Sequence, residues 1–159
     1  MAVRSNATLR RSLIEGSYTV GVAVVGSTCT LEDMLVRNTG AAAGTGKAFG
    51  DGVVSFIDAS DTAVFPSEVV LRRSLVRGNG RAGAASFASG LTIEDSVLSC
   101  NAFDIDLETV TIRETAYAAK LTSQGESQCG CGSLGGCVAQ SSSLAPFAAP
   151  PKAPATPKE

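Results

Sequence analysis

Through positions 1–124, short apolar and β-branched runs of five to seven residues are separated by Gly, Asn and Ser. Runs of this length, closed by turn-forming residues, predict β-strands. No ten-residue window carries an apolar stripe of helical period closed by caps, so a β-α alternation is disfavoured.

The strands repeat. Leu9, Leu31, Leu71, Ile93 and Ile112 each follow Thr or Val and precede two charged residues, in "TLRR", "TLED", "VLRR", "TIED" and "TIRE". The anchors are 22, 40, 22 and 19 residues apart, which reads as one short repeat three times and one repeat carrying about 18 extra residues. A second half-repeat keeps the same register: "GVAVVGS" at 21–27, "GVVSFID" at 52–58 and "GAASFAS" at 83–89 each set a Gly before a small or β-branched strand. Its middle copy lies late, which puts insertions at about 39–51 and 57–68. A leucine-rich repeat has a similar period, but "LRRSLI" puts Ser12 where that repeat wants an apolar residue, and the linking segments offer no helix.

The run "LRRSLIEGSYTVGVAVVGSTCTLEDMLVRNTG" is similar to the right-handed parallel β-helix repeat of pectate-lyase-like proteins, and the resemblance extends over residues 7 to about 117. It implies an all-β solenoid of four to five coils starting near residues 9, 31, 71, 93 and 112, in a repeat domain over 1–124. Equivalent residues of such coils stack at about 4.8 Å. Leu9, Ile14, Val22, Val24, Leu31, Val36, Val53, Leu71, Val76, Phe87, Ile93, Leu98 and Ile112 are then the expected interior. Ser12, Ser74, Ser96 and Thr115, each three after its anchor, mark a tight corner or a polar ladder. Stacking also gives the charges partners. Arg10 and Arg11 fall beside Glu32 and Asp33, then come Arg72 and Arg73, then Glu94 and Asp95, then Arg113 and Glu114, an expected ladder of opposed charges. A Gly/Cys-rich segment over 125–140 and a Pro/Ala-rich tail over 141–159 follow, the tail too poor in apolar bulk to order itself.

Composition removes several functions. The chain has no His, which excludes Ser-His-Asp and Cys-His catalysis and the usual zinc enzymes. Its 13 basic and 15 acidic residues are evenly spread, so nucleic acid is not an expected partner. No apolar stretch is long enough for a transmembrane segment. "GTGK" at 44–47 is followed by Ala48 rather than the Ser or Thr of a phosphate loop, and reads as part of a flexible insertion.

Carboxylates remain. Asp51, Asp58 and Asp61 flank the insertions of the second repeat and are candidates for a carbohydrate or calcium site, with ordinary turn Asp as the competing reading. The resemblance implies polysaccharide enzymes that use Asp pairs, or Arg with calcium. The hydrolases of that fold use a His absent here, and no lyase-type Arg cluster is visible, so no catalytic residue carries over. Asp104 and Asp106 in "NAFDIDLE" alternate along a predicted strand, as an acid pair or a solvated face. Cys29 and Cys100 read as small buried apolar residues. Cys129, Cys131 and Cys137 are candidates for a disulfide-stapled end cap with one Cys left over, for free thiols, or for a metal cluster that lacks a local fourth ligand.

The expected function is a non-catalytic structural or adhesive module of an exported or cell-surface bacterial protein, contacting a polysaccharide or surface glycan. The alternative is a polysaccharide lyase- or hydrolase-like enzyme or its inactive relative, with calcium the one cofactor in view. A first coil opening almost at residue 1 predicts missing amino-terminal coils or a stacking partner.

Overall fold

A computed structural model describes residues 5–41, 49–59 and 63–144. Among them lie nineteen strands and no helix. The strands come in successive rounds. The first holds β1 (Asn6–Arg10), β2 (Leu13–Glu15) and β3 (Val20–Val25), and the second β4 (Thr28–Glu32), β5 (Leu35–Arg37) and β6 (Asp51–Phe56), followed by a small hairpin of β7 (Asp58–Ala59) and β8 (Val64–Phe65). The third holds β9 (Glu68–Arg72), β10 (Leu75–Arg77) and β11 (Ala82–Phe87). The fourth holds β12 (Gly90–Glu94), β13 (Val97–Ser99) and β14 (Phe103–Glu108), followed by a hairpin of β15 (Val110–Ile112) and β16 (Thr115–Tyr117). Last come β17 (Lys120–Gln124), β18 (Gln128–Gly130) and β19 (Gly135–Gly136).

Each of the first four rounds adds one strand to each of three parallel sheets and the last adds one to two of them, in the orders β1-β4-β9-β12-β17, β2-β5-β10-β13-β18 and β3-β6-β11-β14, with β19 antiparallel on β18. Leu9, Leu31, Leu71 and Ile93 are direct register partners, as are Ile14, Val36, Val76 and Leu98. Leu31, Leu71, Ile93, Val36, Val76, Leu98 and Val53 are fully buried between the sheets. A second cluster of Val54, Ala82, Ala85 and Phe87 lies on the outer face of the third sheet, where period-two alternation sets Val54, Ala85 and Phe87 opposite the interior Val53 and Ala84.

The corners explain the polar punctuation. Arg11, Asp33, Arg73 and Asp95, the second charged residue of each anchor motif, all have positive φ, between 46° and 54°. This left-handed conformation is costly for a non-Gly residue and persists where neighbours over-determine it. The following Ser supplies the constraint: Ser74 Oγ donates to Arg72 O at 2.8 Å and accepts the Met34 N–H of the preceding round at 3.0 Å. Ser96 Oγ likewise accepts the Ser74 N–H at 3.0 Å. The other two corners repeat the device. Ser67 and Ser89 Oγ accept the N–H groups of Ser27 and Ser67, and Asn79 and Asn101 Oδ1 accept those of Thr39 and Asn79. Buried backbone donors are satisfied, and each round is tied to the next. The Asn row also dictates a Gly beside it: a Cβ at Gly52 would lie 2.6 Å from Gly83 O and 2.7 Å from Asn79 Nδ2.

Several expectations fail in physical detail. Ile112 does not anchor a fifth round. Arg113 and Glu114 both have positive φ, 48° and 67°, which turns β15 back onto β16 as an antiparallel hairpin. The fifth strand of the first sheet is β17, where Ser123 is the partner of Ile93 and Leu121 that of Leu91. Thr115 lies in the hairpin, and Ser127 instead completes the corner row by accepting the Ser96 N–H. Phe87 is buried on the outer face rather than in the interior, and Leu9 is 36% exposed because β1 ends its sheet. Ser141, Ser142 and Leu144, assigned from the sequence to the disordered tail, are hydrogen-bonded to β14; 145–159 lies outside the described residues.

Candidate functional site

Parallel register lines up outward side chains as rows. The first sheet presents Thr8, Thr30, Val70, Thr92 and Thr122 in one row and Arg10, Glu32, Arg72, Glu94 and Gln124 in the next. Around the corner run Arg11, Asp33, Arg73 and Asp95, then the half-buried or exposed apolar row Leu13, Leu35, Leu75 and Val97. The corner and apolar rows line an open groove of about 600 Å³, with Ser12, Met34 and Ser74 in its floor.

Opposed charges meet across rounds on this face. Arg10 pairs with Glu32 at 2.7 Å, Arg72 with Glu94 at 2.8 Å and Arg73 with Asp33 at 2.9 Å, and Arg73 also reaches Glu32. The Arg73 hydrogen bonds hold both Glu32 and Asp33 below the usual carboxylate range, and the two acids in turn raise Arg73. Exposed pairs of this kind set register more than they drive folding. The sequence missed a further rung, Arg37 with Glu15 at 2.8 Å. Arg113 and Glu114 are not on the ladder, since they form the β15–β16 turn. Gln124 stands opposite Glu94, and Asp95 accepts the Glu126 N–H at 2.9 Å.

The expected acid site is not assembled in its described part. Asp51 is fully buried and bound by Arg81, with Arg81 Nε 2.7 Å from Oδ1 and a second contact to Oδ2, and it also accepts the Ala82 N–H at 3.0 Å. Asp58 is exposed on β7, beyond the far end of β6, a six-residue strand of about 17 Å. Asp61 lies outside the described residues, as does the "GTGK" stretch. Among the described residues no three His, Cys, Asp or Glu side chains converge on a point suited to a metal ion.

Asp104 and Asp106 do not form the pair. Asp104 accepts Asn101 Nδ2 at 2.9 Å, while Asp106 is fully buried and neighbours Glu108. Glu108 carries a segment of the chain's end: it accepts the N–H groups of Ser142 and Leu144 and the Ser141 hydroxyl, each at 2.9 Å. Asp106 Oδ1 accepts the Ser142 N–H at 3.0 Å, and its Oδ2 is buried with no donor facing it. Burial first, then the charge of Glu108 and a hydrogen bond to it, push Asp106 up to about 6, against the opposing pull of Ser142. Burial pushes Glu108 up as well, but its donors outweigh that and leave it lowered. The signal was present in "NAFDIDLE", one alternation further along, at the Asp106–Glu108 spacing.

The cysteines pair across the boundary drawn from the sequence. Cys129 bonds Cys137, while Cys131 bonds Cys100, which is exposed rather than a buried apolar filler. The remaining thiol is Cys29, buried, with its pKa raised by that burial.

No family model, curated protein or solved structure matches the chain. The site is therefore argued from its own geometry, that of the open groove. It offers repeated ionic and apolar rows of fixed spacing.

Proposed function

We propose that the chain is a right-handed parallel β-helix whose rounds are its coils, acting as a non-catalytic structural or adhesive module that holds an extended glycan along the groove. The observation that carries this reading is the repetition of one exposed set, an Arg or Asp at the corner beside a Leu or Val, over four rounds. A polymer of regular repeat meets an apolar residue at every step of about 4.8 Å and the same corner charge at every second step. The interior fits a coil stack because both N–H satisfaction and apolar burial continue from round to round. The burial of Asp51 against Arg81 supports a binding role over a hydrolytic or lyase one, since a carboxylate so buried and paired is not accessible to a substrate. Two disulfides favour an oxidising setting, hence an extracellular or cell-surface location.

The test is a glycan-array measurement, paired with a uronate-release assay with and without calcium, on the intact chain and on Leu75→Asp. The reading predicts glycan capture that Leu75→Asp abolishes, with no product released. Release of unsaturated or reducing ends would overturn it in favour of an enzyme.

A further inference from the structure

The two ends of the stack differ. At one end β1, β2 and β3 each terminate a sheet, and their outer edges have no strand partner among the described residues. Leu9 and Leu13 are 36% and 56% exposed there, whereas Leu31 and Leu71, the register partners of Leu9 in the next two rounds, are fully buried. A cavity of about 380 Å³ opens beside them, lined by Leu9, Val22, Val24 and Cys29. At the other end β19 occupies the edge of β18, and Gln140 bridges to Asp106 on β14.

The open end also carries directional chemistry. Within the stack the first Arg of a basic pair reaches forward, Arg10 to Glu32 and Arg72 to Glu94, while the second reaches back, Arg73 to Glu32 and Asp33 of the preceding round. Arg11 holds the place of Arg73 in the first round and makes no ion pair among the described residues. Ser12 repeats the local bond of Ser74, donating to Arg10 O at 2.9 Å. The Met34 N–H that Ser74 accepts has no counterpart at Ser12 among the described residues.

We propose that this end docks a further β-coil, paired parallel to β1 and β2, whose corner bears an acidic pair where the second round has Glu32 and Asp33. Ser12 and Arg11, which have no inter-round hydrogen bond or ion pair among the described residues, hold the places at which Ser74 and Arg73 take Met34, Glu32 and Asp33 of the second round, and the cavity lies beside the exposed Leu9. A second copy does not fit. Its far end offers Gln124 and Gly125 in the acidic positions and carries β19 on the adjoining edge, and a head-to-head copy sets Arg11 against Arg11. This docking does not depend on the glycan reading.

The test titrates the labelled full chain at low salt with two peptides: residues 67–78 in their own sequence, SEVVLRRSLVRG, and the same peptide with Arg72→Glu and Arg73→Asp. The acidic peptide is expected to shift the amides of β1 and β2 and to bind at least tenfold more tightly than the basic one, and Arg11→Glu is expected to erase that preference while leaving distant amides unmoved. Equal affinities, no shift with either peptide, or concentration-dependent dimerisation of the chain alone through β1 would overturn the proposal.

Discussion

Ser12 and Ser74 occupy the same place in two copies of "LRRSL", and truncating each to Ala isolates what stacking contributes. Both hydroxyls donate to the carbonyl two residues back, at 2.9 and 2.8 Å. Only Ser74 accepts an N–H from another round, that of Met34, and both of these residues are at most 5% exposed. Ser74→Ala leaves that amide buried without a partner, at a cost of about 1–3 kcal/mol. Ser12 is exposed, so water replaces its lost bond, and Ser12→Ala should stay within about 0.5 kcal/mol. For a chain of this size, 1 kcal/mol moves the melting temperature by roughly 2–4 °C. A loss of about 2 kcal/mol at Ser74 then lowers it by roughly 4–8 °C, against under about 2 °C at Ser12. Thermal unfolding by circular dichroism, with urea titration as a second readout, checks both variants. Equal losses would refute the inter-round hydrogen bond, because every local term is shared.

Three further outcomes follow from the geometry. Arg81→Met strands the buried Asp51 carboxylate and should destabilise by about 3–5 kcal/mol in urea unfolding; a loss under about 1 kcal/mol would contradict the buried pair. Asp106 has a raised folded pKa, so its contribution is fully present below the ordinary carboxylate range and is lost as pH rises towards about 6. Glu108 is lowered, so its contribution is present above that range and lost as pH falls further. The two contributions together are therefore largest within the ordinary carboxylate range, at about pH 4, and a carboxyl-carbon NMR titration should place the Asp106 midpoint near 6, with a normal midpoint counting against its burial beside Glu108. Cys100→Ser opens a link across 31 residues and Cys137→Ser one across 8. Loop entropy predicts losses of about 3–4 and about 2–3 kcal/mol respectively, so the reverse order in chemical denaturation would contradict these pairings.

The stacking was legible because its rule is local. Thr or Val, then Leu or Ile, then two charged residues describes a strand whose last charged residue takes the left-handed corner, and Leu9, Leu31, Leu71 and Ile93 all obey it. "TIRE" obeys the same rule on paper. A corner needs one left-handed residue, whereas the turn at Arg113 and Glu114 has two, and spacing alone does not separate the cases. The true fifth strand was hidden because its anchor position is held by Ser123. Features that join distant segments left no local trace. Arg81 meets Asp51 only through the pairing of β11 with β6, Cys100 meets Cys131 only across a round, and Glu108 is satisfied by residues 33 to 36 positions away.

Parallel, in-register stacking of the rounds is tested most directly by inter-strand nuclear Overhauser contacts along the anchor column. The account predicts contacts linking Leu9 with Leu31, Leu31 with Leu71, Leu71 with Ile93 and Ile93 with Ser123, in the pattern of parallel strands. Hα–Hα contacts of antiparallel type in this column, or a contact of Ile93 with Ile112 in place of Ser123, would contradict it.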